Sequence, residues 1–463
     1  MQPLTGHRVT ATGTHPYDYY YRPGMALRPA PPRAVASELW FEPRRAMLSP
    51  WLDVRREPVD TPRTRLMADH LWQGDEPMDA LVAAFRRMGS AGGRRMLDRA
   101  LCHGIDSVEE PLPELVNLFA RLDNPPGWYD ADEWEHGRRL WINVSTAGKM
   151  AMGVQDFMGT FVGAEVASAV GQTGRFVKDP YRRNLESAVW FGSVTAPRAL
   201  ERGNPIFHDT VRVRYMHAQV RAMLRRAWGD EHFAQHGNPI SNATTMGAAV
   251  TFGLSPICFD HVHGRRCSTA QLDAVMHYWA YIAYVFGVAE ELIPRSASEG
   301  FEMADYMVAT AGVAPAWTAT MAGAATRRFT NAGLRGRAEI AATAPLLGVL
   351  SYYSSTPLVR TLLADTPLRA VPTQPWSALT GLAATTAVRL RRIDDHLPGA
   401  RRRMIRRARR LDPFWHRNIR VARYLGARAG IKGTPFDHHD VSADGAPCPI
   451  RSPRPGSDTP PSA

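Results

Sequence analysis

Cysteine and lysine are both scarce in this chain of 463 residues, and each scarcity excludes something. Four cysteines, Cys102, Cys258, Cys267 and Cys448, scattered through 51.3 kDa are too few for a disulfide framework. The small secreted scaffolds are thereby set aside, and a reducing compartment is the default. Only three lysines stand against 53 arginines, so arginine density is partly a compositional habit. The N-terminus, MQPLTGHRVTATGTHPYDYYYRPG, has no apolar segment behind its charges. Neither a Sec-type nor a twin-arginine signal peptide is read there, and a cytoplasmic location is expected.

Long hydrophobic runs are missing too. Ala274 to Ala289 is uncharged for 16 residues but contains His277, and Ile340 to Val359 covers 20 residues diluted by Thr, Ser, Pro and two Tyr. Crossing a bilayer takes about 20 predominantly apolar residues. Both runs are read as buried helices, with a membrane span as the second reading of the later one. G-x-G-x-x-G, G-x-x-x-x-G-K-[ST], H-E-x-x-H and C-x-x-C-H are all absent, which removes support for dinucleotide, P-loop, zincin and covalent c-type haem readings.

Alternating runs of period two are also few, whereas spacings of three and four recur, as in Met78, Leu81, Phe85 and Met88. The expectation is an all-α fold. Residues 1–62, rich in Pro and Tyr, read as an irregular arm; residues 63–388 as a helical domain; residues 389–436 as an Arg-rich helical segment; residues 437–463, with six Pro after Val441, as a disordered tail. Trp128 to Glu133 reads as a turn feeding a capped helix, and long helices are expected over Thr210 to Trp228 and Thr269 to Val288.

The net charge of +12 is local, because 14 arginines face three aspartates between Arg389 and Arg428. Leu390, Ile393, Met404, Ile405, Leu411, Phe414 and Trp415 are interleaved with them. Such a block suits a solvated helix face or an anionic membrane surface better than nucleic acid, and no nucleic-acid partner is expected.

On a helix, Val213, Met216, His217, Val220 and Leu224 share one face, with Arg212, Arg214, Arg221 and Arg225 on its flanks. A neutral imidazole in an apolar wall near guanidinium groups suits a non-covalent haem, whose iron takes the nitrogen and whose propionates pair arginine. A hydrogen-bonded core histidine fits the same spacing. Two other clusters merit comparison. Cys258, His261, His263 and Cys267 place four ligand types in ten residues between two expected helices, where a polar connecting loop is favoured over zinc. His232 and His236, one turn apart beside Asp230 and Glu231, read as a solvated helix end more readily than as a metal site.

The run Arg183-Asn184-Leu185-Glu186-Ser187, followed by Arg212-Val-Arg-Tyr-Met-His217-Ala-Gln-Val-Arg221, resembles the latex clearing protein family and its wider group of mpaB-type oxygenases. Asn238-Pro239-Ile240, Gly247 to Gly253, and Tyr278-Trp279 on to Glu290-Glu291-Leu292-Ile293-Pro294 are also similar, so the resemblance spans roughly residues 65 to 390. It implies a globin-like helical core holding one haem b, with His217 as proximal ligand, Arg183 and Arg214 near the haem, and dioxygen as co-substrate. Members cleave polyisoprene double bonds or shorten a prenyl chain, which implies an oxidoreductase, of dioxygenase type, acting on a hydrophobic small molecule or prenyl chain.

Within this resemblance Ser187 replaces the family's threonine and keeps a hydroxyl, and Glu165 is the candidate catalytic base on the preceding helix, with an ordinary structural glutamate as its alternative. A carboxylate on an apolar wall has a raised pKa and can take a proton from an allylic carbon. Glu186 occupies the slot where rubber-cleaving members carry a distal lysine, which puts that sixth iron ligand in question. Without an export signal, a smaller isoprenoid or lipid is the expected substrate, and a non-catalytic haem- or lipid-binding protein is the alternative. Peripheral association with an anionic membrane is the further partner expectation.

Overall fold

Side-chain caps ahead of apolar stripes start most of the long helices in the computed structural model, which describes residues 20–34, 36–312, 315–329, 333–410, 420, 421 and 424. Among these residues there is no strand, and the fold is all-α. Helix α1 (Phe41–Leu48) and α2 (Pro62–His70) precede three helices that pack together, α3 (Glu76–Met88), α4 (Ser90–His103) and α5 (Pro113–Asp123). The centre is built from α6 (Ala131–Ile142), α7 (Thr146–Val162), α12 (Asn242–Val262) and α13 (Thr269–Val285), with α6 lying along α13 and α7 along α12.

Between the two halves of that centre run α8 (Ala164–Gln172), the single turn α9 (Arg175–Lys178), α10 (Pro180–Val194) and the long α11 (Pro205–His236). After it come α14 (Ala297–Ala309), α15 (Pro315–Thr326), α16 (Gly333–Ala341), α17 (Ala344–Tyr353), α18 (Thr356–Leu363), α19 (Gln374–His396) and α20 (Ala400–Arg409).

The expected caps are present. Asp130 accepts the Glu133 N–H at 2.8 Å ahead of α6, and Ser268 and Gln271 form a capping box ahead of α13. One apolar core runs through α2 to α6 and α11 to α14, with Trp141, Tyr278 and Trp279 fully buried at its centre. Each such side chain contributes about 2 kcal/mol or more by leaving water. A second core joins α7, α8, α15, α17 and α18.

Three elements differ from the sequence expectation. The arm expected to be irregular through residue 62 contains α1, whose Arg44 is buried against Asp305 at 3.2 Å and whose Met47 and Leu48 enter the main core. Tertiary contacts hold this helix, so it carries no periodic signature of its own. Ile340 to Val359 is broken into pieces of α16, α17 and α18. Among the described residues no helix is long and apolar enough to cross a membrane. Finally, Cys258 and His261 belong to the last turns of α12 instead of a loop. The expected tail over residues 437–463, and the Arg-rich segment beyond Arg410 apart from Arg420, Val421 and Tyr424, lie outside the described residues.

Candidate functional site

Helix α11 starts cleanly, with Pro205 in its first turn and the Asn204 side chain accepting the Ile206 N–H at 2.9 Å. It is locked in rotation by its arginines. Arg212 pairs with Asp98 at 2.8 Å, Arg214 grips Asp75 with two bonds of 2.6 and 2.8 Å, and Arg221 holds Asp79 at 2.9 Å. All three guanidinium groups are buried. Arg214 therefore has a different task from the cofactor contact expected of it: its fork is filled by a carboxylate from the start of α3, and the Val285 carbonyl accepts a further bond at 3.3 Å. A Cβ on Gly287, whose φ is +90°, would collide with this pair, so the loop after α13 is cut to fit it. Replacing Arg214 by Ala is expected to destabilise the protein by about 3–5 kcal/mol, because it leaves Asp75 buried and unpaired. The Asp75→Ala/Arg214→Ala double variant should recover part of that loss in urea unfolding.

With the arginines turned to α3 and α4, another side of α11 carries His217. Its ring lies 5.9 Å from that of Phe286, which also packs edge-on against Trp190 of α10 at 4.9 Å. Trp190 in turn donates to Thr210 of α11 at 3.2 Å. Burial first, and the charges of Arg221 and Arg183 second, push the His217 pKa down to about 4, so the imidazole is neutral at physiological pH. Among the described residues its ring nitrogens have no hydrogen-bond partner, and the residue is half-buried. The imidazole is thus half-buried and neutral.

Arg183, on α10, donates through Nη1 to Ser187 Oγ one turn later on the same helix. The hydroxyl thus fixes where the guanidinium points, and the charge reaches both His217 and Asp156 of α7. Burial raises the Asp156 carboxyl to about 6 against the opposing pull of Arg183. Glu165, in the first turn of α8, is raised by burial to about 7. Its side chain keeps 32% of its surface and lies 4.0 Å from Nδ1 of His236. Gly229 brings His236 there: at φ +71° and ψ −176° it breaks α11, and the last turns return so that Asn238 accepts from Arg225 at 3.1 Å.

The structure thus places His217, Arg183 and Ser187 on adjoining helices and Glu165 on α8, which also touches α11. Asp156 and His236 were not singled out for this neighbourhood by sequence. Asp156 had a signal, being the only acidic residue of α7. His236 had none, since its approach to Glu165 depends on the turn at Gly229. The side chain of Glu186 lies outside the described residues.

Neither cluster weighed as a metal site gathers its potential ligands into one group among the described residues. Cys267 Sγ and His261 Nδ1 are 3.5 Å apart, but His263 turns to the Tyr352 hydroxyl at 3.0 Å and Cys258 is buried in the core. His232 stacks on His236 at 4.2 Å and lies tilted against Trp228 at 4.3 Å. Among the described residues no three His, Cys, Asp or Glu side chains converge as a metal-binding group.

Comparison with known proteins places this arrangement in context. A solved structure of latex clearing protein in the closed state is 17% identical, with a TM-score of 0.49, covering 70% of this chain and 91% of that chain; a likeness so slight carries no argument. No curated protein matches the chain. The family described as "ER-bound oxygenase mpaB/B'/Rubber oxygenase, catalytic domain" matches residues 141–411, a span that starts in the last turn of α6 and takes in Glu165, Arg183, Ser187 and His217. Since that match covers more than half of the sequence, the chain belongs to the mpaB/rubber oxygenase catalytic-domain family.

Proposed function

We propose that the protein is a haem b-dependent oxygenase that cleaves a carbon–carbon double bond of a hydrophobic, isoprenoid-like or lipid substrate with dioxygen. The observation that carries this reading is His217, a neutral, half-buried imidazole whose nitrogens have no hydrogen-bond partner among the described residues. His70 also lacks hydrogen-bond partners but is fully enclosed, whereas His217 is only half-buried. The donor set fits haem, since His217 offers a neutral nitrogen to iron and Arg183 a cation beside it. Haem, when bound, supplies the dioxygen chemistry that side chains cannot perform.

The chain's own residues do the rest. His217 holds the iron from α11. The Ser187 hydroxyl anchors Arg183, whose charge acts beside His217. Glu165, with a pKa of about 7, is half ionised near neutrality and is matched to accepting a proton at Oε1 from an allylic carbon. The apolar wall around Phe286 and Trp190 excludes water and suits a hydrocarbon chain.

The purified protein is expected to show a Soret band that shifts with dithionite and carbon monoxide. Incubated in the ferrous state with a short isoprenoid under labelled dioxygen, with rapid trapping of carbonyls, it should place one labelled oxygen on each new carbonyl end. An olefin and one dioxygen then account for both products without an external reductant. Label in one product end only, or an epoxide or alcohol, would indicate a monooxygenase. A Soret band without product from any isoprenoid would favour a haem-binding protein, and no chromophore would remove the cofactor assignment.

A further inference from the structure

Helix α19 is apolar on the wrong side for a helix that ends at a solvated surface. Its inward face, Ala384 and Val388, packs against Ala147, Phe259, Tyr352 and Tyr353. Yet Leu379, Leu382, Leu390 and Ile393, separated by three, eight and three residues, fall on the opposite side of the helix, and Leu397 follows past its end. These five side chains are between 51% and 67% exposed. Single exposed leucines need no explanation, but five in one line do.

The charges beside the ridge are all of one sign. Asp394 is engaged by Arg391, Arg403 and Arg407 at 3.6, 2.6 and 2.8 Å, and Asp395 by Arg265 at 2.6 Å. These pairs consume the acidic residues of α19. Arg389 and Arg392 on α19, and Arg401, Arg402 and Arg406 on α20, remain exposed, and none meets a carboxylate among the described residues. Structural pairing has thus separated the arginine block into an inward set that ties α19 to α20 and α12 and an outward set with no counter-charge.

We propose that the outer face of α19, with the adjoining arginines of α20, docks on an anionic lipid surface. The ridge enters the boundary between headgroups and acyl chains while the arginines meet lipid phosphates and carboxylates. The chemistry separates this occupant from its rivals. A second copy of the same face would set arginine against arginine around its apolar contact, because the face has no free acidic group to pair with them. A nucleic-acid backbone would satisfy the arginines but leave the leucine ridge in water. An anionic bilayer satisfies both.

The test uses the full chain and sedimentation with phosphatidylcholine vesicles, with and without phosphatidylserine, at low and high salt. Binding is expected to favour the phosphatidylserine vesicles by at least about tenfold and to weaken with salt, since each cation near such a surface contributes roughly fivefold. Leu379→Asn/Leu390→Asn/Ile393→Asn, all at exposed positions, should reduce that binding by at least about tenfold with circular dichroism unchanged. Arg389→Gln/Arg392→Gln should remove most of the lipid-charge preference and salt dependence. Binding unaltered by the ridge variant, or equal on both vesicle types, would overturn the proposal. So would a ridge variant that changes only the mass of the protein in solution, which would assign the face to a second copy, or arginine variants that lose duplex DNA binding and keep vesicle binding.

Discussion

His217→Ala is expected to purify without the Soret band of bound haem while keeping its helical circular dichroism. The expectation is specific because two other histidines are also buried and neutral. His70 and His208 are pushed down to about 4 and 3, in both cases chiefly by burial. His70 is completely enclosed, its ring nitrogens sealed from space, with Glu291 3.7 Å from Nε2. A porphyrin has no way to reach that nitrogen without unpacking α2. His208 lies three residues into α11 and close to the charges of Arg212 and Arg202. Only His217 of the three combines desolvation with access. His70→Ala should therefore retain haem per mole of folded protein, and His217→Ala should lose nearly all of it. Equal haem content in wild type and His217→Ala would sink the assignment. No hydrogen bond among the described residues depends on the His217 ring, so the circular dichroism of the variant tests only its packing, as against Phe286.

How much of this site could be read from the sequence follows from which interactions are local. His217 stood out because a single polar residue in an apolar stripe violates the helical pattern, and the pattern extends over only a few turns. Arg183 and Ser187 were named only through the family resemblance, and their hydrogen bond one turn apart is a finding of the structure. Arg214 was legible as a position but not as a partner: Asp75 lies 139 residues away, and nothing along α11 says that its guanidinium turns to the start of α3. The same holds for α1. Its eight residues make no stripe of their own, and it exists because Arg44 and Asp305, far apart in sequence, are buried together. His236 required the backbone turn at Gly229, which sequence marks only as a glycine between Trp228 and Asp230. Local chemistry was thus visible, while the reach of long side chains and one reversal of direction were not.

Glu165→Gln is expected to keep haem and lose activity by about 10²–10⁴, the range for removing a positioned general base. Two further readouts separate catalysis from structure. In the wild type, kcat/KM for the isoprenoid should rise with pH through about 7, because the base must be ionised and burial holds its pKa there. That limb should vanish from the residual activity of the variant. Stability should change in the opposite sense. A carboxyl whose pKa is higher in the folded than in the unfolded chain binds its proton more tightly when folded, so the stabilisation it contributes is complete below the unfolded value and is lost as pH rises through the folded one. For Glu165 that window runs from the ordinary value of 4.5 to about 7, and for Asp156 from 3.8 to about 6. Both groups therefore cost stability at neutral pH and above. Replacing Glu165 by neutral Gln should raise Tm relative to wild type at pH 8 and not at pH 4. An enzyme that retains full activity in Glu165→Gln would place the base elsewhere, with Asp156, the other carboxyl raised by burial and the one that Arg183 faces, next to be tested. A Tm that falls equally at both pH values would instead mark Glu165 as a packing residue, since loss of contacts has no reason to follow its titration.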